Sequence, residues 1–518
     1  MRAAMDRETQ RLAQQSVLDG GKTKKERNQL GQFATPTSLA RELMAYALTM
    51  MPASEQVRFL DPAIGTGSFY SALLSVVAPN RIDDAQGFEV DPHYGLPAQA
   101  LWADTSLRVQ IADFTTQPSK SGSINLLVSN PPYVRHHHLS GETKSRLHAA
   151  SATAAGMRLS GLAGLYCHFM ALSHPWMAPG GLACWLVPSE FMDVNYGREV
   201  KRYLLERVTL LRIHRFDPND AQFDDALVSS AVVWFRNEPP KVDSKVNFTY
   251  GGTHFNPRES RALSLVELAA ESKWTRFPRH AVRTDAIDRP RLRDLFEIKR
   301  GIATGDNHFF ILSPERIEAL GLPWEQMTPI LPSPRYLVSD QINSDEQGRP
   351  IVQRPLFLLD CRMSEESIRD QYPTLWNYLE GGRESMLKRY LCRARTPWYV
   401  QESRAPAPLL CTYMGRGDRE SGGPFRFILN RSRAVVANTY LNLYPKPHVA
   451  RKLVEELGLI EKVWECLNNL DPSTLTAEGR VYGGGLHKME PKELAQVPAD
   501  ELATLLGFAR SMQLDLAA

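Results

Sequence analysis

Four residues, Asn130-Pro131-Pro132-Tyr133, close the apolar run from Ile124 to Ser129. Their types suit one kind of chemistry. An exocyclic or amide nitrogen is a poor nucleophile because its lone pair is delocalised. Acceptors on its two N–H groups draw it toward a pyramidal geometry and free that pair. The Asn130 side-chain oxygen and the Pro131 carbonyl are natural acceptors, and the prolines fix φ and stiffen the loop. The Tyr133 ring offers a face for a planar group. Adenine N6 and a glutamine amide fit this loop equally well, as acceptors of a methyl group.

Three further features lie upstream, each at the end of a predicted strand. Asp61-Pro-Ala-Ile-Gly65-Thr-Gly67 follows the strand 57–61 and precedes a helix over 68–77. Strand, glycine turn and helix open a nucleotide-type βαβ unit, and ligands bind at the carboxyl ends of such strands. The turn is neither a G-x-G-x-x-G signature nor a phosphate loop. Glu89 closes the second strand, placed to accept from a ribose. Asp113 and Phe114 close the third, suited to accept an adenine amino group and cover its face. A ribose and an adenine without a phosphate grip point to S-adenosylmethionine.

Positioning these residues requires a sheet. Strands alternate with helices to about residue 236, including helices over 36–50 and near 165–177, which predicts an α/β Rossmann-like methyltransferase sheet with helices on both faces. Later strands are expected at 209–216 and 227–235. Residues 1–30 form a charged helical arm, 31–240 the S-adenosylmethionine-binding catalytic domain, 241–285 a linker and 286–518 a mixed α+β domain. At 518 residues the chain is too long for one core. Its six cysteines are scattered without a C-x-x-C pair, so zinc and disulfide frameworks are unsupported. No apolar run is long enough to span a membrane, and no secretory leader is seen, so a cytoplasmic protein is expected. The formal charge of +3 is uninformative by itself. Between Arg383 and Arg433, however, eleven Lys/Arg oppose four acids, interleaved with Trp398, Tyr399, Tyr413, Phe425 and Phe427. That mixture suits phosphate neutralisation and base contact, and equally a solvated basic face.

Together these motifs resemble the gamma class (TaqI type) of DNA adenine-N6 methyltransferases. Gly31-Gln-Phe-Ala-Thr35-Pro36 resembles the N-terminal motif of that class, which implies that Thr35 helps hold the methionine part of the cofactor. Asp61, Gly65, Gly67, Glu89, Asp113 and Phe114 match its successive cofactor motifs. Phe223, or alternatively Phe216, matches the aromatic residue that stacks on a flipped base. Looser similarity to target-recognition domains of restriction–modification methylases runs through 292–305, 397–399, 437–445 and 485–494. The resemblance implies double-stranded DNA as partner, a base extruded for reaction, a monomer on DNA and a separate endonuclease of the same specificity. Lys299, Arg300, Arg395, Arg416 and Arg419 are the candidate DNA contacts.

Two other enzymes use an Asn-Pro-Pro-Tyr loop on this fold, glutamine-N5 protein methyltransferases and RNA adenine methyltransferases. The roughly 280 residues after the sheet favour DNA over both. A DNA-binding subunit with a vestigial site is a further alternative, which the intact Asn130 loop disfavours. The triple His136-His137-His138 is expected to be loop rather than metal site, since adjacent residues rarely converge on one ion.

Overall fold

The computed structural model describes residues 2–23, 26–27, 30–119, 122–134, 136–217, 229–279, 289–417, 423–482 and 485–508. The chain forms two compact units, one from Met1–Thr284 and one from Asp285–Val481 and Gly485–Ala518.

The first unit is built on a nine-stranded sheet ordered β3-β2-β1-β4-β5-β7-β6-β8-β9. Its strands are β1 (Val57–Asp61), β2 (Ile82–Glu89), β3 (Leu107–Ile111), β4 (Ile124–Ser129), β5 (Met177–Pro188), β6 (Thr209–Arg215), β7 (Ser230–Arg236), β8 (Lys245–Gly252) and β9 (Pro257–Ser264). The run β3-β2-β1-β4-β5 is parallel, whereas β7 lies antiparallel between β5 and β6. Alternate side chains feed two cores, as the strand period of two requires. On β4, Leu127 joins one core while Leu126 and Val128 join the other, and Ile124 joins the first across a register shift before Leu126. On β5, Ala183, Trp185 and Val187 face the first core, and Leu182, Cys184 and Leu186 the second. The central strands therefore carry near-continuous apolar sequence because both faces are covered.

Helices cover both faces. Those labelled here are α1 (Arg2–Gly20), α2 (Thr37–Thr49), α3 (Ser68–Val76), α4 (Pro92–Trp102), α5 (Gly141–Ala155), α6 (Leu165–Ser173) and α7 (Gly197–Glu206). Leu39, Leu43 and Ala47 of α2 and Phe69 and Leu73 of α3 recur at three- or four-residue spacing and enter the second core. Tyr166, Phe169 and Met170 of α6 and Val200, Tyr203 and Leu204 of α7 fill the first.

The segment expected to be a linker, 241–285, carries regular structure in its described part, 241–279. It supplies β8, parallel to β6, and β9, antiparallel to β8. Val246, Phe248, Leu263, Trp274 and Phe277 are all buried in the first core. Prolines and mixed composition concealed these strands, since β9 carries Arg258, Glu259 and Arg261 on its two faces and buries only Leu263.

The second unit is mixed α+β. Its strands β10 (Phe296–Arg300), β13 (Gln341–Ile342), β15 (Leu409–Thr412), β17 (Phe427–Asn430) and β19 (Tyr440–Pro445) form one sheet, ordered β10-β19-β15-β17-β13. Strands β11 (Ile311–Leu312), β12 (Met327–Leu331), β14 (Leu356–Leu359) and β18 (Val435–Val436) form another, ordered β11-β14-β12-β18. In the first of these, β10 (Phe296–Arg300) pairs with β19 (Tyr440–Pro445), and β19 with β15 (Leu409–Thr412). Helices Pro447–Glu455 and Leu459–Asn468 bury Val449, Leu459, Val463 and Leu467 against it.

Candidate functional site

Because β3, β2, β1 and β4 are parallel, their carboxyl ends lie along one edge of the sheet. Asp61, Glu89, Asp113 and Asn130 accordingly line a single cavity of about 720 Å³ with Thr35, Gly65, Phe114 and Pro132. That volume is in the range of small-molecule sites.

The glycine turn is fixed by covalent geometry and by close packing. Gly65 and Gly67 have φ of +56° and +93°, in the region that favours glycine. A Cβ on Gly67 would also stand 2.5 Å from Nε1 of Trp102. Asp61 is 1% exposed. Its Oδ1 accepts from the Ser129 hydroxyl at 2.8 Å and the Ala63 N–H at 3.1 Å. Burial nevertheless dominates, pushing its pKa up to about 7. Asp61 thus ties β1 to β4 at the base of the pocket.

Glu89 accepts from the Gly65 N–H at 3.1 Å and the Asp91 N–H at 2.9 Å, one bond on each oxygen. Burial raises its pKa. A carboxylate has about four lone-pair sites, so capacity remains for a ligand hydroxyl pair. Asp113 spends Oδ1 on the Thr115 N–H and hydroxyl, at 2.9 and 2.7 Å. Its Oδ2 stands 3.4 Å from Arg146, too far for a strong bond. Phe114 is buried against Phe88, Phe169 and Trp176 and adds an apolar surface to the cavity. Val90 also lines it and is 65% exposed.

At the other end, the Asn130 side chain is oriented by two acceptors. Its Nδ2 donates to the Phe33 carbonyl at 3.0 Å and to Thr35 Oγ1 at 3.1 Å. A carbonyl only accepts, so the amide nitrogen must face Phe33, and Oδ1 is left as the outward acceptor. Gly31 permits this approach. It has φ of +65°, and a Cβ there would sit 2.4 Å from the Tyr133 backbone nitrogen. Tyr133 anchors its hydroxyl on the Leu186 carbonyl at 3.1 Å and sets its ring 6.0 Å from Phe33. Burial raises its pKa, so the phenol stays a neutral donor. Pro131 is buried beneath the loop, while Pro132 and Val134 line the cavity.

Several expected residues fall elsewhere. Phe216 is core: it is buried in the second cluster with its ring 4.9 Å from His214, so it presents no face to a base. Phe223, Arg419 and the motif 218–228 lie outside the described residues. Arg395 is structural, because its guanidinium donates to the Thr304 and Ala303 carbonyls at 2.9 and 2.5 Å and to Gln401 at 3.2 Å. Lys299 pairs with Glu297 at 2.7 Å. Arg300 is exposed, lies 4.0 Å above the Tyr413 ring and donates Nε to the Asn438 carbonyl. Arg416 is exposed on β16 (Met414–Arg416). The aromatic residues interleaved with the basic stretch, Trp398, Tyr399, Tyr413, Phe425 and Phe427, are buried, and so form core rather than a stacking platform.

The cavity also has a wall that sequence reasoning missed. Gln15, Asp19 and Lys22, in and just after α1, line it. Lys22 pairs with Asp91, which Gln32 also contacts at 2.8 Å. Arg146 of α5 clasps Thr115, through its carbonyl at 2.9 Å and its hydroxyl at 3.0 Å. No local signal marks these residues, since α1 turns Glu8 and Arg11 inward and leaves Met5, Leu12 and Val17 exposed. Among the described residues, no group of three or more His, Cys, Asp or Glu is placed to hold a metal, and no helix is long and apolar enough to cross a membrane.

Comparison with known proteins agrees with this architecture. The Eco57I restriction-modification methylase family matches residues 82–223, and the C-terminal domain of Type II methyltransferase M.Eco57I matches residues 273–514. The chain is 30% identical over 487 residues to Type II methyltransferase M.XamI of Xanthomonas campestris pv. amaranthicola, covering 92% of this chain and 86% of that protein. It is 25% identical over 492 residues to Type II methyltransferase M.AccI of Acinetobacter calcoaceticus, covering 90% and 85%. Among solved structures, the Type IIL restriction-modification enzyme MmeI in complex with DNA is similar in fold, with a TM-score of 0.52 at 11% identity. That match covers 89% of this chain but 63% of the other. This chain belongs to the Type II methyltransferases of restriction–modification systems.

Proposed function

We propose that the protein methylates N6 of an adenine extruded from duplex DNA, using S-adenosylmethionine, as the modification enzyme of a restriction–modification system. The observation that carries this reading is the Asn130 amide. Its nitrogen is committed to Phe33 and Thr35, and its oxygen is left as an acceptor at the cavity that Glu89 and Asp113 share.

The residues fit the cofactor. Glu89 has lone pairs to spare for the ribose hydroxyls, and Asp113 Oδ2 for the adenine amino group. Phe114 and Val90 offer apolar surface to the adenine ring. Thr35 holds the methionine end beside Asn130. Bound S-adenosylmethionine supplies an electrophilic methyl group on a sulfonium. Asn130 Oδ1 and the Pro131 carbonyl accept from the two N–H groups of the target amine. Methyl transfer would form the N6–CH3 bond at the expense of the sulfonium S–CH3 bond, with one N6 proton released to water. Tyr133 stacks on the extruded base, with Phe223 the second ring that the resemblance implies, and stacking returns part of the few kcal/mol that unstacking costs. The second unit is the target-recognition domain, with Lys299, Arg300 and Arg416 facing phosphates or base edges. A separate endonuclease reads the same sequence, and the enzyme acts as a cytoplasmic monomer.

DNA is favoured over a glutamine side chain or RNA because the related methyltransferases match across both units. The test is incubation with labelled S-adenosylmethionine and unmethylated genomic DNA, followed by sequencing that detects N6-methyladenine. Label in DNA at one short motif is expected. Label confined to protein or RNA would overturn the proposal, and label on cytosine would overturn its adenine assignment.

A further inference from the structure

The glycine turn poses a mechanical problem. Thr66 is the sole residue with a side chain between two glycines of positive φ, and such a backbone is intrinsically permissive. Something outside the turn must hold it: Glu89 takes the Gly65 N–H, and the holders of Thr66 come from α1 and α4. The Thr66 carbonyl accepts from Trp102 Nε1 at 2.9 Å. Its hydroxyl donates to Gln15 Oε1 at 2.6 Å and accepts from Arg11 Nη1 at 3.1 Å.

Arg11 is 1% exposed, an unusual place for a guanidinium. It forms a fork on Glu8 with two bonds of 2.7 Å. Nη2 also reaches Thr37 Oγ1, at 3.2 Å. Glu8 accepts in turn from Ser71 Oγ at 2.5 Å and from the Thr37 hydroxyl. The pair therefore joins α1 to the glycine turn, to the first turn of α3 and to the start of α2. Apolar contacts would dock a helix as well or better, since burying an ion pair carries a desolvation cost. What the fork adds is direction: a planar donor array fixed by Glu8 and aimed at one hydroxyl.

We infer that Arg11, held by Glu8, is a positioning residue for the cofactor turn, acting through Thr66, so that α1 is a working part of the cofactor site rather than an appended arm. This rests on S-adenosylmethionine being the ligand of that cavity. The experiment measures S-adenosylmethionine binding to the full-length protein by calorimetry, with KM and kcat for methylation alongside. Arg11→Met and Thr66→Val are each expected to weaken binding about tenfold, raising KM for the cofactor while kcat changes little. Thr66→Ser, which keeps the hydroxyl, restores wild-type binding. Asp104→Ala removes the surface pair that Asp104 makes with Arg7 of α1, keeps Arg7 over the Trp102 ring, and leaves binding unchanged.

Wild-type affinity in folded Arg11→Met and Thr66→Val overturns the inference. So does an equal loss in Asp104→Ala, which would mean that α1 is merely docked. If Arg11→Met does not fold, Thr66→Val against Thr66→Ser decides. Failure of the wild type to bind S-adenosylmethionine would remove the cofactor reading itself, and this inference with it. Binding by the wild type with unaffected variants removes this inference alone.

Discussion

The two units use charge in opposite ways. In the first, polar side chains from distant parts of the sequence converge: Asp61, Glu89, Asp113 and Asn130 come from the ends of four parallel strands to one cavity. In the second, the cations between Arg383 and Arg433 are largely committed to separate partners. Arg383 meets Glu365 and Glu380, Arg389 meets Asp306, Arg426 meets Asp340 and Arg431 meets Glu461. Lys388 and Arg404 pair within the stretch, with Glu384 and Glu402. A position at a strand end survives folding as a functional statement. A local excess of charge does not, because the acids that balance it lie elsewhere in sequence.

The sharpest way to break this contrast is Asn130→Ala. If Oδ1 serves the substrate amine, turnover should fall by about 10²–10³-fold, the usual loss for one preorganised polar group at a reacting centre. Cofactor affinity should persist, as read by calorimetry beside single-turnover methylation. A parallel loss of cofactor binding would mean that the amide chiefly holds Phe33 and Thr35, making the loop scaffold rather than catalyst.

A second test uses the depth of the cavity floor. Asp61 is raised to about 7 by burial, whereas in the unfolded chain it ionises near its ordinary value of about 4. Between those pH values the folded protein binds the extra proton, so this group makes stability fall as pH rises from about 4 to 7, then level off. Asp61→Asn should flatten that slope. It should gain on the order of a few kcal/mol over the wild type at pH 8 and nothing near pH 4, in urea titrations across that range. An unchanged slope would show that another group, Glu89 first among them, carries the proton.

Why the first unit was legible follows from the same contrast. The strands at 57–61 and 124–129 are short apolar runs whose ends are punctuated by glycine or proline, and both cues are local. The cavity needed only parallel order to assemble. The wall formed by Gln15, Asp19 and Lys22 was hidden because α1 docks through buried polar groups, which leave no apolar period to detect. β9 was hidden because Arg258, Glu259 and Arg261 leave it no apolar period. In the second unit, Trp398 and Tyr413 alternate with arginines in sequence, yet the aromatics point into the core while the arginines stay outside or pair. A linear window cannot separate those two directions.

Two arginines of the second unit bring the contrast to a finer test. Arg395→Ala removes donors from the Ala303 and Thr304 carbonyls and from Gln401. It should destabilise the protein by about 1–3 kcal/mol in denaturant titration while leaving the salt dependence of DNA binding unchanged. Arg300→Ala should do the reverse. Its guanidinium rests on the face of Tyr413, ties Nε to the Asn438 carbonyl and interacts with the Glu490 carboxylate, while the residue stays exposed. Stability should change by less than about 0.5 kcal/mol, as for an exposed site. If Arg300 meets a phosphate, the slope of log affinity against log salt should shrink by about 0.9. If it reads a base edge, affinity for the cognate motif should drop by about 1–3 kcal/mol and discrimination at one position should relax. An effect on neither measurement would place Arg300 with Arg395, as scaffold, and leave Arg416 as the exposed cation of β16 to test next.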